Sequence, residues 1–137
     1  MSADEKPIFW VGSAKQDLIA FPTAAVRAAG HNLSLVQNGL MPGDFKPMEN
    51  VGPGTYEIRI RTDEGAGQVQ HRVFFVAKFA EGVDVLLAFR KPTQQTSRHD
   101  VEVGRQRCRE PVAHRRELRK QRAGGAHGHY GHHPSRR

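Results

Sequence analysis

Hydrophobic and polar residues alternate through the middle of the chain in a way that predicts three consecutive β-strands. In the first run, Tyr56–Arg61, one tyrosine and two isoleucines point to one side while a glutamate and two arginines point to the other. This period of two is typical of a half-buried strand. The second run, Val69–Phe79, is rich in valine and phenylalanine, and the third, Val83–Phe89, is almost wholly apolar. Short glycine-containing acidic segments separate the runs, so the pattern predicts an antiparallel meander.

The residues before this meander predict an edge strand and a short helix. Pro7–Val11 is apolar and aromatic, and proline can begin an edge strand without breaking a ladder of hydrogen bonds. A helix is expected over Ala14–Phe21, with Ser13 as its N-cap. The Phe-Pro-Thr sequence that follows interrupts this helix.

A second, longer helix is predicted to begin at Pro22 or Thr23 and to end near Asn38, where Gly39 stops it. Apolar residues three and four positions apart mark its buried side: Val26, Ala29, Leu33 and Val36. The opposite side is polar. Two such helices need a sheet to cover, and the meander provides one.

The remaining segments predict a loop, a last helix and a tail. Leu40–Gly54 contains three prolines and three glycines and is expected to be a connecting loop. A C-terminal helix should begin near Thr96 or Ser97 and run to about Glu110, although Gly104 weakens it by about 1 kcal/mol relative to alanine. Beyond it the chain has many charges and glycines and few large apolar residues, so it cannot bury a core.

The pattern as a whole predicts an α+β fold in two parts. Residues 1–110 form one domain in which two N-terminal helices pack on an antiparallel sheet of about four strands, followed by a C-terminal helix. Residues 111–137 form a basic, histidine-rich tail that is predicted to be disordered. The tail holds four closely spaced histidines, but without acids, cysteines or a scaffold they are weak evidence for a metal site.

Charge and cysteine content refine this picture. The chain has a formal net charge of +7, and residues 101–137 carry all of it, since residues 1–100 hold equal numbers of acidic and basic side chains. The single cysteine, Cys108, cannot form an internal disulfide, which fits a reducing cytosol. The polar N-terminus is unlike a signal peptide, and no stretch is apolar enough to cross a bilayer. We therefore expect a soluble, cytoplasmic protein.

Several short motifs follow one another in a familiar order: KPIFWVGSAKQDLIAFP, FKPM, YEIRIR, HRVFFVAKF, VLLAF and TSRHDVEVGRQR. From Lys6 to about Glu110 this order resembles the RelE/ParE superfamily of type II toxins, in particular its HigB-like, phage-derived branch. The resemblance implies a twisted antiparallel sheet and ribosome-dependent cleavage of messenger RNA (mRNA) without a metal or other cofactor. It also implies a partner antitoxin with a helix-turn-helix domain, through which alone the complex binds DNA to repress its own operon.

The resemblance also assigns candidate site residues. RelE-type toxins place basic residues on the second strand, on the central strand and after the last strand. Arg59 and Arg61 match the first group, Arg72 matches the second, and Lys91 with its neighbour Arg90 matches the third less closely. RelE has a lysine where this chain has Glu57, and its C-terminal tyrosine has no clear equivalent here.

These residues suggest how a metal-free endoribonuclease could work. A planar guanidinium binds phosphate oxygens in a fork and stays charged, so Arg72 is predicted to stabilise the phosphate and the transition state, helped by Arg59 and Lys91. Glu57 is the candidate general base. His71 is a second candidate for proton transfer or RNA contact, with Arg61 and Arg90 as RNA-binding residues, although strand alternation turns His71 away from Arg72.

Three alternatives stay open at this point. Alternating arginines are often only a solvated strand face paired with acids such as Glu57. The chain could also be a non-catalytic inhibitor, like the ParE branch that blocks DNA gyrase, or an inactive toxin that only binds its antitoxin. The nuclease hypothesis makes one strict demand on the fold. Burial of Arg72 against a carboxylate, or its separation from Arg59 and Lys91, would leave no cleavage centre.

Overall fold

A five-stranded mixed sheet, with helices on both faces, organises the molecule. The computed structural model describes residues 5–64, 67–91 and 97–109. The elements in chain order are β1 (Ile8–Trp10), α1 (Ala14–Ile19), α2 (Thr23–Gln37), β2 (Phe45–Pro47), β3 (Thr55–Glu64), β4 (Gly67–Val76), β5 (Val83–Lys91) and a C-terminal helix, α3, over residues 98–109. The predicted α+β class, with two N-terminal helices, a sheet and a C-terminal helix, is confirmed.

The sheet order is β1-β5-β4-β3-β2. The predicted meander is present, since β3 pairs antiparallel with β4 and β4 with β5. Two short edge strands extend it. Phe45–Pro47, predicted as part of a loop, adds antiparallel to β3, while Ile8–Trp10 adds to β5 in parallel. The sheet is therefore mixed and has five strands, whereas an antiparallel sheet of about four strands was predicted. The prediction differed because three-residue edge strands have too little alternation to indicate how they pair.

The first apolar layer lies between the sheet and the two N-terminal helices. The buried side chains of α2 are Ala25, Ala29, Leu33 and Val36, and they pack with Ile58, Ile60, Val73 and Phe75 of the sheet. Three of the four predicted positions are thus buried. Val26 is only half-buried, and Ala25 takes its place in the core.

The ends of the helices differ in how their backbone groups are satisfied. At the end of α2, Gly39 has a φ of 83°. Its N–H donates to the carbonyl of Val36, and the N–H of Leu40 donates to the carbonyl of Leu35. These two bonds form a Schellman motif, which confirms the predicted glycine stop. At the start of α1, Ser13 makes no side-chain cap bond. Its hydroxyl donates to the carboxylate of Asp17 instead, at 2.7 Å.

The second apolar layer lies on the opposite face of the sheet, under α3. Phe74, Leu86 and Leu87 of the sheet pack there with Cys108 of the helix. Ser97, near which this helix was predicted to begin, is its N-cap, since its hydroxyl accepts the N–H of Asp100 at 3.0 Å. A side chain at Gly104 would place Cβ 2.8 Å from the ring of Phe74, so the glycine that weakens the helix also lets it approach the sheet closely.

Two further predictions fall partly or wholly outside this structure. The predicted end of the last helix at Glu110 and the proposed tail over 111–137 lie outside the described residues. In the part of the chain that the structure describes, no helix combines the length and the apolar character needed to span a membrane.

Candidate functional site

One face of the sheet gathers most of the predicted site residues. Directly opposed residues of an antiparallel pair point to the same side, and Arg59 lies opposite Arg72, while Lys46 lies opposite Glu57. The members of this set are Lys46 on β2, Glu57, Arg59 and Arg61 on β3, Arg72 on β4 and Lys91 on β5. We call this set the basic face. It holds five cations and one carboxylate, and it lies on the side of the sheet away from α1 and α2.

Arg72 and Glu57 form a buried ion pair at the centre of the basic face. The Nε atom of Arg72 lies 3.6 Å from Oε1 of Glu57, and the two side chains are 1% and 2% exposed. Nη2 of Arg72 donates to the side-chain oxygen of Gln70 at 2.5 Å. Nη1 is buried and meets no hydrogen-bond acceptor among the described residues. The guanidinium is therefore held inside the protein by one carboxylate and one amide.

Burial and crowding of positive charge lower the pKa of this arginine. Desolvation is the largest cause of the lowered Arg72 pKa, and the nearby Arg59 and Arg61 add to it, while Glu57 opposes the shift. The pKa of Lys91, which is also buried, is lowered by desolvation first and by Arg72 second. The site thus concentrates more positive charge than its one buried carboxylate offsets, a condition that favours an anion nearby.

The outer cations of the basic face are accessible to solvent. Arg61 and Lys46 are exposed, and the side chain of Arg59 is 30% exposed. Asp44 lies beside this group, with Oδ1 3.9 Å from Nε of Arg59. Because that pair is partly exposed, water screens it and it holds Arg59 only weakly. Arg59 and Arg61 can therefore approach a phosphate without any rearrangement of the buried pair.

Two predicted RNA-binding residues lie on the other face of the sheet. His71 is 1% exposed, and its ring centroid is 4.4 Å from that of Phe21. Arg90 pairs opposite His71 and is exposed on that side. Strand alternation correctly predicted that His71 faces away from Arg72. The structure does not bring either residue to the basic face.

The structure does not expose the centre of the predicted cleavage site to solvent. The nuclease hypothesis required an accessible Arg72, and the structure buries it against Glu57, which is the arrangement named above as incompatible with cleavage. Glu57, the candidate base, is itself buried and paired. Arg72 does lie beside Arg59 and near Lys91, so the cluster is real. Its centre, however, offers no surface to a substrate in this structure.

Sequence patterns overlooked two members of the site. Lys46 joins the basic face only because Phe45–Pro47 pairs with β3, and this segment was predicted as a loop. Gln70 appears ordinary in sequence, yet it holds the guanidinium of Arg72. The alternation around Gln70 could have indicated its side of the strand, since it lies two residues before Arg72. Among the described residues, no three His, Cys, Asp or Glu side chains cluster as metal ligands.

Comparison with known proteins identifies a family for most of this chain. Residues 16–109 match the family model described as phage derived protein Gp49-like (DUF891). The matched segment begins inside α1 and ends at the last described residue of α3, so it includes the whole basic face. Neither the curated proteins nor the solved structures contain a match. The chain therefore belongs to the phage-derived Gp49-like family, which is related to the RelE/HigB toxins.

Proposed function

We propose that this chain is the toxin of a type II toxin–antitoxin system of the HigB-like branch and that it inhibits translation by acting on mRNA. The observation that carries the proposal is the set of solvent-accessible cations Lys46, Arg59 and Arg61 on one face of β2 and β3. Cations fixed on neighbouring strands suit a sugar-phosphate backbone. Membership of a family related to RelE/HigB toxins supports the same target.

Arg72 has no catalytic role in this proposal. A group that stabilises developing charge on a phosphate must reach it, and the buried guanidinium is already occupied by Glu57 and Gln70. Ribosome-dependent endonucleolytic cleavage, which the family resemblance implies, is retained as an outcome for experiment to decide. Any phosphate contact is assigned to the outer cations.

The proposed partners follow from the same assignment. A small antitoxin with a helix-turn-helix domain would hold the toxin inactive, and DNA would be bound only through that complex. The mRNA on the ribosome would be the target of the free toxin. An adjacent small reading frame with a helix-turn-helix pattern would support the pairing directly.

Growth arrest after induction of the full chain tests the function. We expect the wild-type chain to stop growth and the Arg59→Ala/Arg61→Ala double variant to lose that effect, because the exposed phosphate contacts are gone. Arg27→Ala is the matched control, since Arg27 is an exposed arginine on α2, away from the basic face. Equal arrest by the double variant would remove the basic face from the mechanism.

Primer extension on cellular messages separates the forms of inhibition. Discrete new 5′ ends after induction demonstrate cleavage, and translation arrest without them demonstrates binding alone. Arrest of DNA replication with intact messages would instead support the gyrase-inhibitor alternative. If the basic face carries the activity, the double variant must show neither new 5′ ends nor translation arrest.

One observation favours a second candidate function, an inactive toxin that only binds its antitoxin. Three of the four predicted catalytic side chains, Arg72, Glu57 and Lys91, are buried. On this hypothesis the wild-type chain causes no arrest, yet the antitoxin still binds it. Growth arrest by the wild-type chain would exclude this second candidate.

A further inference from the structure

A groove opens on the other face of the sheet, between the end of α2 and the ends of β3 and β4. Its volume is about 390 Å³. Val36, Leu40 and Met41 line one side, and the aromatic rings of Tyr56 and Phe75 line the other. Phe75 and Val36 belong to the buried core, so this groove is a place where the first apolar layer reaches the surface.

Exposed hydrophobic side chains gather at this groove. Leu40 is 57% exposed, Met41 is 44% exposed, and Phe45 nearby is 37% exposed. Phe45 packs edge-on against Tyr56, which stacks on Phe75, with centroid separations of 5.7 and 5.8 Å. Contiguous exposed apolar surface of this kind marks interaction sites on soluble proteins. Among the described residues, the other large exposed hydrophobic is Ile19 on α1.

The charged side chains that the structure describes in the lining of the groove are positive. The described residues that line it include two lysines, Lys6 and Lys78, and no acidic residue. The amino group of Lys6 donates to the backbone carbonyls of Ala77 and Phe79, at 2.8 and 3.0 Å, which fixes its position at the rim. Lys78 is exposed beside it. A partner that fills the apolar groove therefore binds more favourably if it carries a carboxylate near Lys6 and Lys78.

We propose that this groove binds an amphipathic segment of a protein partner that carries apolar side chains next to at least one carboxylate. Identifying that partner as the antitoxin rests on the proposed function, whereas the chemistry of the bound segment does not. Tyr56 and Phe75 point to the side of the sheet that α2 covers, so the groove and the basic face lie on opposite faces. A segment bound in the groove leaves Arg59 and Arg61 uncovered.

Selection from a random-peptide display library on the full-length protein tests the groove without knowledge of the natural partner. We expect enriched peptides to combine apolar and acidic residues and to bind Leu40→Asp and Met41→Asp at least about tenfold more weakly than wild type. Ile19→Asp is the matched control, because it adds the same charge at an isolated exposed position and should bind as wild type does. Since Leu40 and Met41 are exposed, thermal unfolding should show that all three variants stay folded.

Charge reversal supplies the second measurement. Lys78→Glu should weaken binding of the selected peptides, and added salt should narrow its difference from wild type, since exposed charges are screened. No enrichment, or enriched peptides that bind the Leu40 and Met41 variants normally, would overturn the proposal. These results concern binding alone, so they are independent of growth arrest. If the partner is the antitoxin, groove variants escape its control but keep arrest.

Discussion

At the scale of single residues, the buried Arg72–Glu57 pair is the main constraint on function. Two charges taken out of water repay their desolvation only with close geometry and additional hydrogen bonds. Here Gln70 supplies one such bond, and the carboxylate lies 3.6 Å away from Nε. Breaking the pair would leave a buried guanidinium with Gln70 as its one neutral acceptor among the described residues. The pair should therefore act as a structural element of the sheet.

Glu57→Gln tests that role. We expect this variant to lose about 3–5 kcal/mol in the free energy of unfolding, because it leaves the buried charge of Arg72 without a counter-ion. Urea denaturation measures the loss. Asp44→Asn is the control, since its pair with Arg59 is partly exposed and should be worth less than about 1 kcal/mol. A loss in Glu57→Gln no larger than in the control would mean that Arg72 is not held by this carboxylate.

Lys91 should make stability depend on alkaline pH. Its pKa is lowered in the folded protein, so the unfolded chain binds more protons as pH approaches the ordinary lysine value of about 10.4. The penalty for charging Lys91 is therefore full below its folded pKa and is lost as pH rises. Relative to Lys91→Met, the wild-type chain should gain stability between pH 7 and 10 in urea unfolding. Lys46→Met, which removes an exposed lysine from the same face, is the control for the loss of one positive charge.

At the scale of elements, the packing of α3 on the sheet depends on the missing side chain at position 104. Helix propensity alone favours alanine over glycine by about 1 kcal/mol. At Gly104, however, Cβ would lie 2.8 Å from the ring of Phe74, which is fully buried. Close approach should outweigh propensity here. Helix propensity and steric overlap can be separated because Gly30 in α2 has nothing within 4 Å of an added Cβ.

We expect Gly104→Ala to lower the free energy of unfolding by about 1–3 kcal/mol, the usual cost of overpacking. Gly30→Ala should raise it by about 0.5–1 kcal/mol, because nothing lies within 4 Å of the added methyl group. Differential scanning calorimetry on both variants gives the comparison. A stabilised Gly104→Ala would show that α3 lies farther from the sheet than described.

The elements also show what sequence can predict and why the remainder is harder. Long periodic segments were predicted well: α2 lies within one residue of its expected limits, and the meander pairs as expected. The predicted edge strand Pro7–Val11 contains β1, but its parallel pairing with β5 was not predicted. The strand β2 lies in a segment predicted as a loop. Both differences arise because pairing partners are set by tertiary contacts. At the site, alternation placed Glu57, Arg59 and Arg61 on one face of β3 and turned His71 away from Arg72. Alternation could not show that Glu57 and Arg72 would be buried as a pair, since burial depends on the tertiary packing over that face of the sheet.

At the scale of the whole molecule, the sheet separates two surfaces of different character. Its basic face carries accessible cations, and the opposite side carries the apolar groove at the end of α2. Because a five-stranded sheet and its core lie between them, a ligand on one surface need not touch the other. Binding of nucleic acid and binding of a protein partner should therefore respond to different substitutions.

Salt dependence provides a quantitative check of the basic face. Each phosphate neutralised on a single strand contributes about −0.7 to the slope of log K against log salt concentration. Removing Arg59 and Arg61 together should therefore flatten the slope for single-stranded RNA by about 1.4, measured by fluorescence anisotropy. Arg27→Ala should leave the slope unchanged. An unchanged slope in the double variant would show that RNA does not contact these arginines.

The parallel pairing of β1 with β5 has a consequence for synthesis of the chain. Residues 8–10 leave the ribosome well before their partners at 83–85, which emerge more than seventy residues later. Until then β1 has no strand with which to pair, and β4 can pair only with β3. Ribosome-stalled chains that end before Val83 should thus be cut readily by protease, whereas chains released at full length resist it. Resistance of the shorter nascent chains would contradict this order of assembly.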